Sequence, residues 1–262
     1  MMRYLRLAAV QARISAAAAM QYRANFIIEG FMTAGWMALT LLPLSVLFGG
    51  RSEVAGWDLP SALIVVAYFI GVHAVLEGVV SPSLVDLVER IRNGAFDYVL
   101  LKPVDAQVLV SASRYEPWKI IDILGAIGLT AYAFTLRGAP PALADVAIGV
   151  LLFGAGCLAM YSLWLVCAAM AFWVVRLDNL VYLLGSIFDV ARWPVQVFRG
   201  MWRFVFTFVI PVAVMTTFPA MALLGRGNAR LTLATLGGAL VMVAVSRVVW
   251  RTAIRNYTSA SS

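Results

Sequence analysis

The sequence predicts an all-α polytopic membrane protein, and three observations carry that prediction. Apolar residues make up 63% of the 262 positions, against roughly 45–50% in a soluble domain. Charged residues supply only 13%. The mean hydropathy is +0.90, and the apolar residues fall in blocks of about 20, the length that crosses a bilayer. On that arithmetic the chain has material for six spans, whereas eight would leave almost nothing for loops.

Composition also excludes functions. The longest stretch of mixed polarity, residues 81–117, is too short for a soluble catalytic domain. A net charge of +7 in a membrane protein points to cytosolic loops and lipid head groups, not nucleic acid. Cys157 and Cys167 are ten positions apart in one apolar run, about 15 Å along a helix, so they cannot bridge. With His73 the single histidine, no zinc-binding set exists. A P-loop needs G-x-x-x-x-G-K-[ST], and the two lysines, Lys102 and Lys119, follow Leu101 and Trp118. ATP hydrolysis by that route is excluded.

Along the chain, Gln11 and Arg13 interrupt the first apolar stretch, so no cleavable signal forms. Leu7, Val10 and Ile14 recur on one side with Arg6 and Arg13 beside them, the pattern of an interfacial helix over 2–23. Spans are predicted at 24–49, stopped by Gly49 and Gly50; at 59–80, opened by Asp58 and Pro60; and at 118–136 and 146–175. A fifth, 178–194, is long enough only if Asp189 and Arg192 reach the outer interface. The stretch 197–225, interrupted by Gly200, Pro211 and Pro219, reads as a re-entrant helical hairpin, because broken helices at membrane depth need protein or water around them. The last span is 231–250, and the polar tail 258–262 is expected to be disordered. Six spans put both termini on one side with thirteen Lys and Arg against seven on the other, which marks the termini as cytosolic. Trp57, Trp118, Trp193, Trp202 and Trp250 fall near span ends, as an interfacial belt would.

Between the second and third spans, Ser81 and Pro82 form an N-cap and N1 pair and Gly94 is suited to end a helix, predicting one over 82–93. Leu84, Leu87, Val88 and Ile91 make its apolar stripe; Asp86, Glu89, Arg90 and Asn93 face elsewhere. Such a helix fits a partner's groove, or equally an interfacial position without a partner. Ionisable groups inside spans are costly and are functional candidates. Glu29 reads as one half of an ion pair or as a pathway or inter-subunit residue. His73 and Glu77, at i and i+4, form a satisfied pair or a proton relay. Asp122 is expected to meet water or an arginine, Asp189 and Arg192 to neutralise each other at the outer end, and Arg247 to snorkel to the inner edge.

The run Arg92-Asn93-Gly94-Ala95-Phe96-Asp97-Tyr98-Val99-Leu100-Leu101-Lys102-Pro103 resembles the loop after the second span of compact six-span ABC-2 type exporter permeases, which reads R-x-G-x-F-D-x-x-L-x-K-P. A second patch, Phe218-Pro219-Ala220 through Leu223-Leu224-Gly225, is similar to the stretch before that subfamily's last span. The resemblance implies a half-transporter in a bacterial cytoplasmic membrane. Two permease subunits, this chain with itself or a sibling, would enclose a pathway for a hydrophobic or amphipathic substrate, driven by alternating access. Two separate ATPase subunits would carry ATP and Mg, leaving this chain with no cofactor and no enzymatic activity. Leu84, Asp86, Leu87, Glu89, Arg90, Ile91, Arg92, Gly94, Phe96, Asp97, Lys102 and Pro103 would form the ATPase-coupling segment. The helix at 2–23 would be the connecting helix, and Pro211, Phe218 and Pro219 would shape the external hairpin. A rival reading is an ion-gradient-driven secondary transporter using Glu29, His73 and Glu77, although no internal repeat is evident. A membrane-embedded enzyme would need a nucleophile or metal motif that the sequence lacks.

Overall fold

The computed structural model describes residues 9–17, 23–111, 113–173, 185–186 and 188–257. Helix α1 covers 9–17; the rest of the predicted 2–23 helix and the tail 258–262 lie outside the described residues. Helix α2 (Arg23–Phe48) runs through Pro43 without breaking. A two-residue turn, Ala55 at φ 51° and Gly56 at φ 83°, then joins β1 (Glu53–Val54) to β2 (Trp57–Asp58) in an antiparallel hairpin. Two consecutive left-handed residues match the twist of paired strands.

Helix α3 (Leu59–Val75) takes Pro60 in its first turn, where the missing N–H costs nothing. It does not end at the predicted boundary. A π-turn, Leu76–Val80, carries it directly into α4 (Ser81–Arg92), giving one helix of 34 residues from Leu59 to Arg92. Ser81 is helical (φ −61°, ψ −48°) and caps nothing, which corrects the expected N-cap. The cause is Pro82, which has no N–H and crowds the carbonyl four residues back, that of Gly78. The π-turn opens that spot, and the Gly78 carbonyl instead accepts the Glu116 N–H at 2.8 Å. Ser83 Oγ ties the same seam by donating to the Arg114 carbonyl at 2.9 Å. The approach is close: a Cβ at 78 would stand 3.2 Å from Lys119 Cβ.

Helix α4 ends as predicted, with Gly94 left-handed at φ 75°. Short helices α5 (Asp97–Leu100) and α6 (Ala106–Ser111) follow, then a 3-10 turn, Pro117–Lys119, into α7 (Ile120–Arg137), which Gly138 terminates at φ 72°. Helix α8 (Leu143–Ala169) tightens into a 3-10 turn at Met170–Phe172. Helix α11 (Ala229–Arg255), capped by the Asn228 side chain, packs along α8 in the same direction. Gly225 lies against Asp145 at their starts, and the Phe172 ring meets Trp250 at their ends.

Between α8 and α11 the chain is irregular. The described residues give 3-10 turns at Asp189–Arg192 and Val195–Val197, then α9 (Gly200–Phe204) with a π-turn Val205–Val209. After Ile210 and Pro211 come a second π-turn, Ala213–Thr217, and α10 (Phe218–Leu223). Pro211 falls at the break, but Pro219 does not interrupt anything: it sits in the first turn of α10. The arm 213–223 packs closely on α8, where a Cβ on Gly156 would come within 2.9 Å of the Met215 backbone.

Five helices are long and apolar enough to cross a membrane: Ile28–Phe48, Leu59–Arg92, Pro117–Arg137, Leu143–Phe172 and Ala229–Arg255. They match five of the six predicted spans. Most of the predicted 178–194 span lies outside the described residues. At its described end the Arg192 guanidinium lies 5.6 Å from the Phe69 ring, partway along the Leu59–Arg92 helix. Phe188 stacks on Phe69 at 5.5 Å, and the Thr216 hydroxyl holds the Ala191 carbonyl at 2.9 Å, which together keep this turn inside the bundle. The expected aromatic belt also changes: Trp57 is 4% exposed under α10 and Trp250 is 1% exposed.

Candidate functional site

The loop between the second and third long helices forms a platform at one end of the bundle. The stripe predicted on α4 is consumed within the chain: Leu84, Leu87 and Ile91 are buried. Phe96 is fully buried and meets Phe172, Tyr257 and Trp250 edge to face, with centroids 5.3, 5.3 and 6.2 Å away. Such contacts add to the area they bury, and they join the loop to the ends of α8 and α11. Asp97 sits beside Tyr257, whose phenol is pushed up by burial and then by that carboxylate. Asp86 and Arg90 pair at 2.7 Å across one helical turn. What remains outward is Glu89, Arg92, Lys102 and Pro103, together with Val85, Tyr98 and Leu101, which are large, apolar and exposed. Sequence reasoning passed over these last three, although Tyr98 and Leu101 stand at the unspecified positions of the motif it quoted.

The platform has a second anchor. Arg247 grips Asp105 with two nitrogens and donates to Gln107 Oε1 at 2.5 Å. Gln107 in turn donates to the Tyr161 hydroxyl at 3.0 Å, which lies 2.6 Å from Ser111 Oγ. Arg247 thereby ties α6 to α11, and Tyr161 ties α6 to α8. The hydrogen bond from Arg247 holds the Asp105 carboxyl below the usual carboxylate range, against the opposing effect of burial. Asp105 was not foreseen as a site. Its signal is an acidic residue opening a short helix, where its side chain accepts the Gln107 N–H at 2.9 Å.

A separate cavity of about 310 Å³ lies between α2, α3, the start of α7 and the 189–192 turn. His73 Nε2 is 3.6 Å from Glu77, and Lys119 Nζ bridges Glu77 at 2.5 Å and Asp122 at 3.4 Å. The Asp189–Arg192 pair, 3.2 Å apart, lines the same space. Asp122 thus meets a lysine where water or an arginine was expected. Lys119, the hub of the cluster, enters the sequence reading only as a cytosolic positive charge and as a lysine outside any P-loop. Glu29 is exposed and does not line the cavity. Its charge acts on Glu116, whose carboxyl is raised by burial foremost, lowered by Arg114 and raised again by Glu29. His73 and Glu77 are therefore brought together, and Glu29 is not brought to them. In the stretch predicted as a hairpin, Pro211 and Pro219 are buried and Phe218 half-buried against α8 and α11. Among the described residues no group of three or more His, Cys, Asp and Glu could hold a metal ion.

The sequence matches the family described as ABC-2 family transporter protein over residues 34–261. No curated protein and no solved structure matches it. The match runs from within the first long helix to the penultimate residue and takes in every long apolar helix and the whole platform, so the chain belongs to the ABC-2 transporter family and is a multi-pass membrane permease.

Proposed function

We propose that this chain is the permease subunit of an ATP-driven exporter in a bacterial cytoplasmic membrane. Two permeases, this chain with itself or a sibling, and two ATPase subunits holding ATP and Mg form the working complex. The observation that carries this reading is the unbroken Leu59–Arg92 helix. Its first part is the most buried of the five long helices, and its far end carries the platform, so force applied at Val85 and Glu89 reaches the centre of the bundle along one helix, with Tyr98 and Leu101 coupled to it through the platform. Buried Leu84, Leu87, Ile91 and Phe96 hold the platform rigid, while the exposed residues meet the ATPase.

Six crossings are supported by the positions of the ends. Helix α8 finishes beside Trp250, and the cavity beside α9 includes Leu231 at the start of α11, which supports one further crossing between them. On this reading the two arms around Pro211 are the re-entrant hairpin on the outside. Placing both termini at the inner side is supported by Gln11, which bonds the Ser113 carbonyl, and by Tyr257, which packs on Phe96. The ion-driven alternative loses support because Glu29 stands apart from His73 and Glu77.

Co-expression with the cognate ATPase tests the reading. A Glu89→Lys, Tyr98→Ala, Leu101→Ala variant should insert normally yet lose ATPase co-purification by tenfold or more, since buried anchors dominate such contacts. Transport that persists without an ATPase and collapses with the proton gradient would favour the secondary transporter, and robust ATP turnover by the chain alone would refute the permease reading.

A further inference from the structure

The charged cavity is not explained by force transmission. We propose that it is a binding site for an amphipathic organic cation, an amine or quaternary ammonium head on a small apolar body. Three carboxylates line it, Glu77, Asp122 and Asp189, against two fixed cations, Lys119 and Arg192. The wall thus sets three carboxylates against two fixed cations, and in a membrane protein a carboxylate without a counter-charge of its own is costly enough to draw one. Lys119 is committed between Glu77 and Asp122, and Arg192 to Asp189. These pairs leave two of the carboxylates with accessible surface, Asp189 with 51% of its side chain exposed and Glu77 with 42%, against 11% for Asp122.

The rest of the wall suits the body of such a ligand. Trp36 offers an aromatic face, which attracts cations as well as apolar groups, while the Phe69 ring is already engaged by Arg192 and Phe188. Trp36 is 65% exposed, so the cavity opens sideways past α2, as entry from a bilayer requires. A volume of about 310 Å³ is at the small end of ligand pockets. An anion would meet the excess negative charge, and a neutral apolar molecule would leave it unanswered. That the bound cation is also the transported substrate rests on the permease reading; the binding site itself does not.

The test uses the full chain, without an ATPase, in discs of neutral phosphatidylcholine. The probe is radiolabelled phenyltrimethylammonium, with its uncharged isostere tert-butylbenzene as competitor. Saturable binding is expected, with the isostere at least tenfold weaker. Asp189→Asn and Glu77→Gln should each weaken binding tenfold or more. Arg192→Gln should tighten it several-fold, a gain that misfolding does not produce, and Asp145→Asn, at the far end of α8, should change nothing. If Glu77→Gln disrupts folding, the half-exposed Asp189 decides. Equal competition by the isostere, unchanged affinity in the Asp189 and Arg192 variants, or no saturable binding by well-folded protein would overturn the proposal. Because no ATPase is present, a negative result leaves the permease reading intact, and failed ATPase assembly leaves this site intact.

Discussion

Helices Ile28–Phe48 and Leu59–Arg92 are both strongly apolar, yet 11% of the most apolar stretch of the first is buried against 72% of the second. In water such a difference would follow hydrophobicity. In a bilayer it does not, because lipid tails are as apolar as leucine and association rests on packing and on polar contacts. The buried helix earns its position through small and β-branched residues, Ser61, Ala62, Val65, Val66 and Ala67, and through the Gly78–Glu116 and Ser83–Arg114 hydrogen bonds. The first helix turns Phe31, Leu42 and Val46 outward and holds on mainly at Leu44 and Thr33.

The comparison is sharpest for cavity-forming substitutions. Ile64→Ala, at a fully buried site of α3, should cost about 2 kcal/mol or more, whereas Leu42→Ala on α2 should stay within ~0.5 kcal/mol. Thermal unfolding in detergent checks both, and equal losses would break the distinction. Gly156→Val forces a side chain into the Met215 backbone and should cost about 1–3 kcal/mol, whereas Gly154→Val, open on the same helix, should cost far less. Gly94→Val sets a β-branched residue at φ 75° and should cost roughly 1–2 kcal/mol. The loss should concentrate in the platform, measured as faster amide exchange over α5 and α6.

A smaller loss than at the cavity and glycine sites is expected at Asp105, whose partly exposed ion pair is worth about 1 kcal/mol. Its folded carboxyl is held low by Arg247, so the stability it contributes is present above the ordinary carboxylate pKa and is lost as pH falls through the lower folded value. Below about pH 4 the wild type should therefore lose part of its advantage over Asp105→Asn, and a parallel pH dependence of the two proteins would deny the pair any role.

How far the site could be read in advance varies residue by residue. Gly94 was legible because a helix C-terminus needs a left-handed residue and few besides glycine adopt that conformation without strain. The α4 stripe was legible as apolar, but whether Leu84, Leu87 and Ile91 face a partner or this chain's own α6 and α8 depends on what lies opposite. Ser81 and Pro82 carried a start signal that the π-turn overrode, since Glu116, far off in sequence, satisfies the carbonyl that Pro82 displaces. Asp105 and Arg247 are 142 positions apart, so no local pattern joins them.

The sequence by itself determined the membrane class, five of the long helices, the family motif and the glycine stops, because apolar length, backbone conformation and local capping depend only on neighbours along the chain. Only the tertiary structure decided which helix is central, that Phe96 and Trp250 are buried together, and that His73, Glu77, Lys119, Asp122 and Arg192 surround one cavity. In lipid, every apolar helix face is equally at home, so partners are chosen by shape and by the need to pair polar groups across long separations, and neither is written in hydropathy.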